Sequence, residues 1–254
     1  MEKLSTTIIS QLLLTRERKR AGFLLLIDPD SYEETELLKL CKKASEFGAD
    51  AILIGGSMML SYRIDEYIRH IKAVSHLPVI LFPGSAMQVS GEADAMLFLS
   101  LMSGRNPEYL IGHHVTAAPA IKALGLETIP TAYLLIESGK PTTVSYVTGT
   151  MPIPRHKPNI AAAHALAAEY LGMKFCYLEA GSGAELSVPE EMISRVKSVS
   201  SLPLIVGGGI RTPEEAASKV QAGADFIVIG NAFEHHRSDS FLRNMIDAVH
   251  SSNS

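Results

Sequence analysis

The chain has 254 residues, 46% of them hydrophobic and 20% charged. That length suits one large α/β barrel or two small domains, and the apolar fraction supplies a full core, which excludes disorder as the dominant state. With 23 Lys and Arg against 27 Asp and Glu, the formal net charge of −4 argues against nucleic acid or an anionic lipid surface as a general electrostatic partner.

The N-terminal stretch 1–22 has Glu2 and Lys3 ahead of a short mixed apolar run and reads as a helix, not a signal peptide. Cys41 and Cys176 form neither a disulfide framework nor a zinc spacing, so both read as reduced thiols of a cytoplasmic protein. The longest uncharged apolar-rich stretch, AILIGGSMML at 51–60, is half of the ~20 residues that a bilayer-spanning helix needs.

FLLLIDPD at 23–30 is a continuous apolar run with a polar end, the pattern of a strand covered on both faces. Behind it Leu37, Leu38, Cys41 and Ala44 recur at helical spacing up to Gly48. The β-then-α unit repeats with AILIGG, IDEYIRHIKAVSH and PVILFPGS. AMLFLSLMS follows at 95–103, then a helical pattern that Pro119 should kink or split, then ETIPTAYLLIE. An irregular stretch at 138–158 precedes an Ala-rich helix; FCYLEA, PLIVGGGI and FIVIGNA then alternate with three more helices.

Eight evenly spaced buried-type strands with no linker between them predict a single (β/α)8 TIM barrel over 1–254. An open doubly wound sheet is disfavoured because no glycine-rich dinucleotide fingerprint follows the first strand. SAMQVSGEAD is too short for a helix with two turns, so an extended or irregular segment should replace the third helix.

In such a barrel the chemistry sits where the strands end, at their C-terminal side. VGGGIRTPEEA and VIGNA, closing the seventh and eighth strands, have the form of a two-loop phosphate cradle. Glu179, in YLEAGSGAE, falls beside that cradle and suits either a general base of raised pKa or a cap for backbone amides. Tyr177, two residues earlier, points to the same side. Asp28 and Ser57 end neighbouring strands and offer hard oxygen ligands for Mg2+, although Asp-Pro-Asp is also ordinary turn chemistry. The pairs His113-His114 and His235-His236 lack ligand spacing and read as surface or capping residues.

LIDPD, ILIGGS, ILFPGS, SLMSGRNPEYLIGHHV, YLEAGSGA, VGGGIR and VIGNA together resemble the geranylgeranylglyceryl phosphate synthase family, which includes bacterial heptaprenylglyceryl phosphate synthases. The resemblance covers nearly the whole chain after the first helix. It implies a Mg2+-dependent prenyltransferase joining a polyprenyl diphosphate, most simply geranylgeranyl diphosphate, to the 3-hydroxyl of sn-glycerol 1-phosphate, yielding an ether lipid precursor. It further implies Asp28 and Ser57 as metal ligands and Glu179 as base. Glycerol phosphate would be held by Tyr177, Leu178, Glu179, Ala180, Gly181, Ser182 and Gly183, with Gly208, Gly209, Gly230 and Asn231. Some members carry Lys where this chain has Leu26, and many carry Lys where it has Ser31, so Arg105 is the expected substitute cation at the diphosphate. The prenyl tail is expected in a groove near the second to fourth barrel helices, with room left by Ala117, Ala118 and Ala120. A homo-oligomer with at most transient membrane contact is implied. A sugar-phosphate isomerase or aldolase, or a non-catalytic phosphometabolite-binding protein, would share the phosphate cradle.

Overall fold

A computed structural model describes residues 6–59, 63–235 and 238–251. Its order is α1 (Ile8–Lys19), β1 (Gly22–Ile27), α2 (Glu34–Phe47), β2 (Ala51–Ile54), α3 (Ile64–Val74), β3 (Val79–Leu81), β4 (Ala95–Leu101), α4 (His113–Leu124) and β5 (Glu127–Leu135). There follow α5 (Thr143–Thr148), α6 (Pro158–Tyr170), β6 (Phe175–Glu179), α7 (Glu190–Lys197), β7 (Leu204–Gly207), α8 (Pro213–Gln221), β8 (Phe226–Ile229), α9 (Asn231–His235) and α10 (Asp239–His250). The eight strands pair in parallel, each with the next, and β1 closes on β8. The expected barrel is the one observed.

Strand alternation divides the core in two. Leu24, Leu53, Leu97, Phe175 and Phe226 fill the barrel, while Phe23, Leu25, Ile52, Leu178 and Val206 pack outward against the helices. Ile8 and Leu12 of α1 join the inner cluster. The Glu127 carboxylate, at the start of β5, accepts the Ile8 and Ile9 N–H groups at 2.8 and 3.0 Å. Two otherwise unpaired donors of α1 are thereby satisfied, and the helix is fixed to the barrel.

No helix lies between β3 and β4, as expected. Instead the buried Gln88 side chain accepts the Gly84 N–H at 3.0 Å and donates to the Gly56 carbonyl at 3.1 Å, tying this connection to the β2 loop. Two expectations need correction. The stretch read as irregular contains α5, started by a capping box in which Thr142 and Ser145 exchange side-chain and backbone hydrogen bonds. Pro119 lies inside an α4 that runs on unbroken; the irregularity is a π-helical turn over Glu108–Gly112 just upstream. Pro119 and Val115, whose carbonyl loses its helical N–H partner to the proline ring, are both exposed, so that acceptor faces solvent. Among the described residues no helix is long and apolar enough to cross a membrane.

Candidate active site

Two adjoining cavities open at the C-terminal ends of the strands. One, of about 540 Å³, is lined by polar groups and glycines from β1, β2 and the loops after β5 to β8. The other, of about 100 Å³, is mainly apolar and lies between the β3–β4 connection, β4, α4 and α5. They meet at Gly56, Ser57, Phe82 and Tyr133, which line both.

β6 brings Tyr177 and Glu179 to the mouth because residues two apart share a face. Its pairing sets Tyr177 opposite Tyr133 on β5, and Glu179 opposite Gly207 on β7. The Phe82, Tyr133 and Tyr177 rings then cluster, with centroids 5.4–6.1 Å apart. Glu179 is 5% exposed, and its Oε1 accepts the Gly181 N–H at 2.6 Å. Burial raises its pKa above 4.5, against the lowering influence of that N–H and of the nearby Tyr177 hydroxyl. Burial also drives the Tyr177 and Tyr133 hydroxyls well above 10, reinforced by the charge of Glu179. The Tyr177 hydroxyl is buried without a well-formed hydrogen bond among the described residues.

Gly208 shows why glycine is required at the turn after β7. Its φ is +82°, and a Cβ there would collide with Glu179 Oε1 and the Ala180 and Gly181 nitrogens. Gly209, Gly230 and Gly183 line the same wall, where Asn231 Oδ1 accepts from Ser182 Oγ at 3.0 Å and Gly183 N at 3.3 Å. Thr212 caps α8 through the Glu215 N–H at 3.2 Å, with Pro213 in its first turn, as the motif implies.

Asp28 ends β1 at this mouth and accepts the Asp30 N–H at 3.1 Å. Burial is the main cause of its raised pKa; the Asp30 N–H opposes it, while repulsion from Asp30 and Glu234 adds to it. Ser57 lies on the same wall, and a Cβ on Gly56 would approach Asp28 Oδ2 to 2.9 Å. One crowded carboxylate with a nearby hydroxyl suits a hard cation that completes its shell with substrate oxygens and water. Among the described residues no group of three His, Cys, Asp or Glu forms a protein-only metal cage.

Several expected site residues lie elsewhere. Leu178 and Ala180 face the outer layer, since β6 turns alternate side chains away from the mouth. Arg105 is exposed and donates to the Gly104 carbonyl at 2.7 Å and the Met102 carbonyl at 3.5 Å; it lines neither cavity. Ala117 lines the apolar cavity, but Ala118 and Ala120 face outward from α4. His114 is no surface residue: it is buried in the apolar cavity wall, 3.2 Å from Ser100 Oγ and edge-on to Phe98, and burial lowers its pKa. His236 and the His235 side chain lie outside the described residues. Sequence reasoning missed Phe82, Tyr133, Lys140, Thr143, Arg211 and Glu234, all at the polar cavity. Phe82 stands within ILFPGS and Arg211 within VGGGIR, both quoted strand-end motifs, whereas Lys140 carries no local signal.

The PcrB family model matches residues 14–252. A geranylgeranylglyceryl phosphate synthase of Chitinophaga pinensis is 50% identical over 237 residues, covering 92% of this chain and 93% of that one. Its counterpart from Thermococcus kodakarensis is 49% identical over 234 residues, 92% of each chain. Among solved structures, (S)-3-O-geranylgeranylglyceryl phosphate synthase from Thermoplasma acidophilum, in complex with its substrate sn-glycerol-1-phosphate, superposes with a TM-score of 0.90 at 39% identity, covering 96% of this chain and 99% of that chain. With the closed barrel and the glycine-walled mouth already in place, these matches over nearly the full length establish that the chain belongs to the PcrB family.

Proposed function

We propose that the protein transfers a prenyl group, geranylgeranyl in first place, from its diphosphate to the 3-hydroxyl of sn-glycerol 1-phosphate, releasing diphosphate. The observation that carries this reading is the junction: a polar cavity and an apolar one share Gly56, Ser57, Phe82 and Tyr133. A donor with a charged head and an apolar tail that spans both must place its scissile bond there. A sugar-phosphate isomerase or aldolase would need only the polar cavity. The relatives' names and the glycerol phosphate complex of the Thermoplasma acidophilum enzyme support the same acceptor.

The wall of Ser182, Gly183, Gly208, Gly209, Gly230 and Asn231 holds the acceptor's phosphate through backbone and side-chain donors. Glu179, anchored by the Gly181 N–H, takes the hydroxyl proton as the acceptor oxygen bonds to the allylic carbon and the carbon–diphosphate bond breaks. Its raised pKa suits a base, and the Gly181 N–H fixes its position beside Tyr177. Asp28 and Ser57 would hold Mg2+, which supplies positive charge to the diphosphate when bound. Holding both reactants over one opening contributes on the order of 7–11 kcal/mol in well-oriented reactions. We place this activity in the cytoplasm, on a homo-oligomer with at most transient membrane contact; exposed Ile111, Val115 and Tyr146 support self-association.

The direct test mixes the protein, glycerol 1-phosphate, Mg2+ and equal amounts of geranyl, farnesyl, geranylgeranyl and heptaprenyl diphosphates. Mass spectrometry should find geranylgeranylglyceryl phosphate as the main product, with diphosphate release abolished by a chelator. Absence of any prenylglyceryl phosphate would overturn the proposal.

A further inference from the structure

Among the described residues the polar cavity has an unfavourable charge balance for two anionic reactants: Asp28, Glu179 and Glu234 line it, against the two cations Lys140 and Arg211. Arg211 is committed to structure: its guanidinium donates to the Glu185 carbonyl at 2.8 Å and the Ala184 carbonyl at 2.5 Å, which holds the β6–α7 loop. Lys140 differs. Its Nζ lies 3.7 Å from Glu185 Oε1, beyond hydrogen-bonding range, with the side chains 50% and 57% exposed. Such pairs are weak and exchange readily for a better anion.

The backbone under Lys140 is nonetheless well placed. The Leu186 N–H donates to the Ser138 carbonyl at 3.1 Å, and Arg155 bridges the Glu137 and Ser187 carbonyls at 3.0 and 3.3 Å. The turn at Gly209 abuts the same segment, since a Cβ on Gly209 would meet Leu186 C and Ser187 N at 2.9 Å. Lys140 is therefore carried on a loop fastened to the phosphate wall on the side of Gly209. A long side chain with a compact ammonium on a fixed backbone suits capture of a phosphate.

We propose that Lys140 binds the phosphate of the acceptor substrate and that Glu185 competes for it. This deepens the functional reading above and rests on its phosphate site, but not on prenyl transfer. The Lys140→Gln variant should raise KM for glycerol 1-phosphate about tenfold, the size of a lost charge-assisted hydrogen bond, while kcat and KM for the prenyl diphosphate stay within about twofold. Glu185→Gln should lower KM for glycerol 1-phosphate about twofold to threefold, and the double variant should behave as Lys140→Gln alone. Lys140→Arg should recover part of the loss. Calorimetric titration of the full chain with inorganic phosphate and with glycerol 1-phosphate reads the same contact without turnover, so it decides the proposal even if no prenyl product forms. A parental affinity for both ligands in Lys140→Gln, or a defect confined to the prenyl diphosphate, would overturn it.

Discussion

At Glu179 a carboxylate is buried beside two tyrosines, with the Gly181 N–H as its anchor. Burial raises its pKa above 4.5. A carboxylate with a raised folded-state pKa costs stability above that pKa, and the cost disappears below the unfolded value. Glu179→Gln keeps an acceptor for Gly181 and removes the charge. Its Tm should therefore exceed the parent's at pH 7, by about 2–4 °C for each kcal/mol relieved in a chain of this size, and match it near pH 4. Its kcat should fall by about 10²–10⁴-fold, as for a lost general base. Parental turnover should decline as pH falls through the raised pKa. Scanning calorimetry and a pH–rate profile check these together; a variant within a few-fold of parental kcat would remove Glu179 from the role.

Among the elements, the connection between β3 and β4 matters most for function because it is not a helix. Pro83, Gly84, Ser85, Ala86 and Val89 of this segment line the apolar cavity, whose opposite wall is α4 and α5. A helix packed there would occupy that space. Ala117 on α4 is 6% exposed and faces the cavity. Ala117→Phe should therefore block long donors: KM for geranylgeranyl diphosphate should rise about tenfold or more, with KM for glycerol 1-phosphate unchanged. Overpacking of this kind costs about 1–3 kcal/mol of stability. Products from mixed donors, measured by mass spectrometry, should shift to shorter chains; a parental distribution would show that the tail lies elsewhere.

Over the whole molecule, stability and chemistry occupy opposite ends of the barrel. At the N-terminal end, Asp50, Asp94 and Asp225 each accept a strand N–H, from Phe23, Val79 and Leu204, at 2.7–2.8 Å, and each also meets a basic side chain. Asp50 joins α1, β1 and α10, taking bonds from Lys19 at 2.7 Å and His250 at 2.8 Å. Burial alone would raise its pKa, but the bonds from His250, Lys19 and Phe23 outweigh it and hold it below 3.8. For a depressed carboxylate the stabilisation is present above the unfolded pKa and is lost as pH falls through the folded one. Asp50→Asn should cost about 1–3 kcal/mol at pH 7, and progressively less below pH 4 as the parent weakens. Urea unfolding across pH measures this; an equal difference at pH 3 and pH 7 would refute the linkage.

The barrel and the glycine-lined wall of its mouth were legible because their causes are local. A strand buried on both faces must be apolar throughout, and a backbone that passes as close to Glu179 Oε1 as Gly208 does must be glycine. What depended on closure of the barrel was which side chains from distant loops converge. Arg105 and Lys140 are each a basic residue in a polar stretch, yet Lys140 reaches the mouth and Arg105 does not, since loop packing decides the direction. Ala117, Ala118 and Ala120 form a uniform small run, and only the setting of α4 against the barrel turns Ala117 inward. The junction of the two cavities is likewise a product of barrel closure, which brings Gly56 and Ser57 after β2, Phe82 after β3 and Tyr133 of β5 to one opening although β4 stands between β3 and β5, and no single segment contains it.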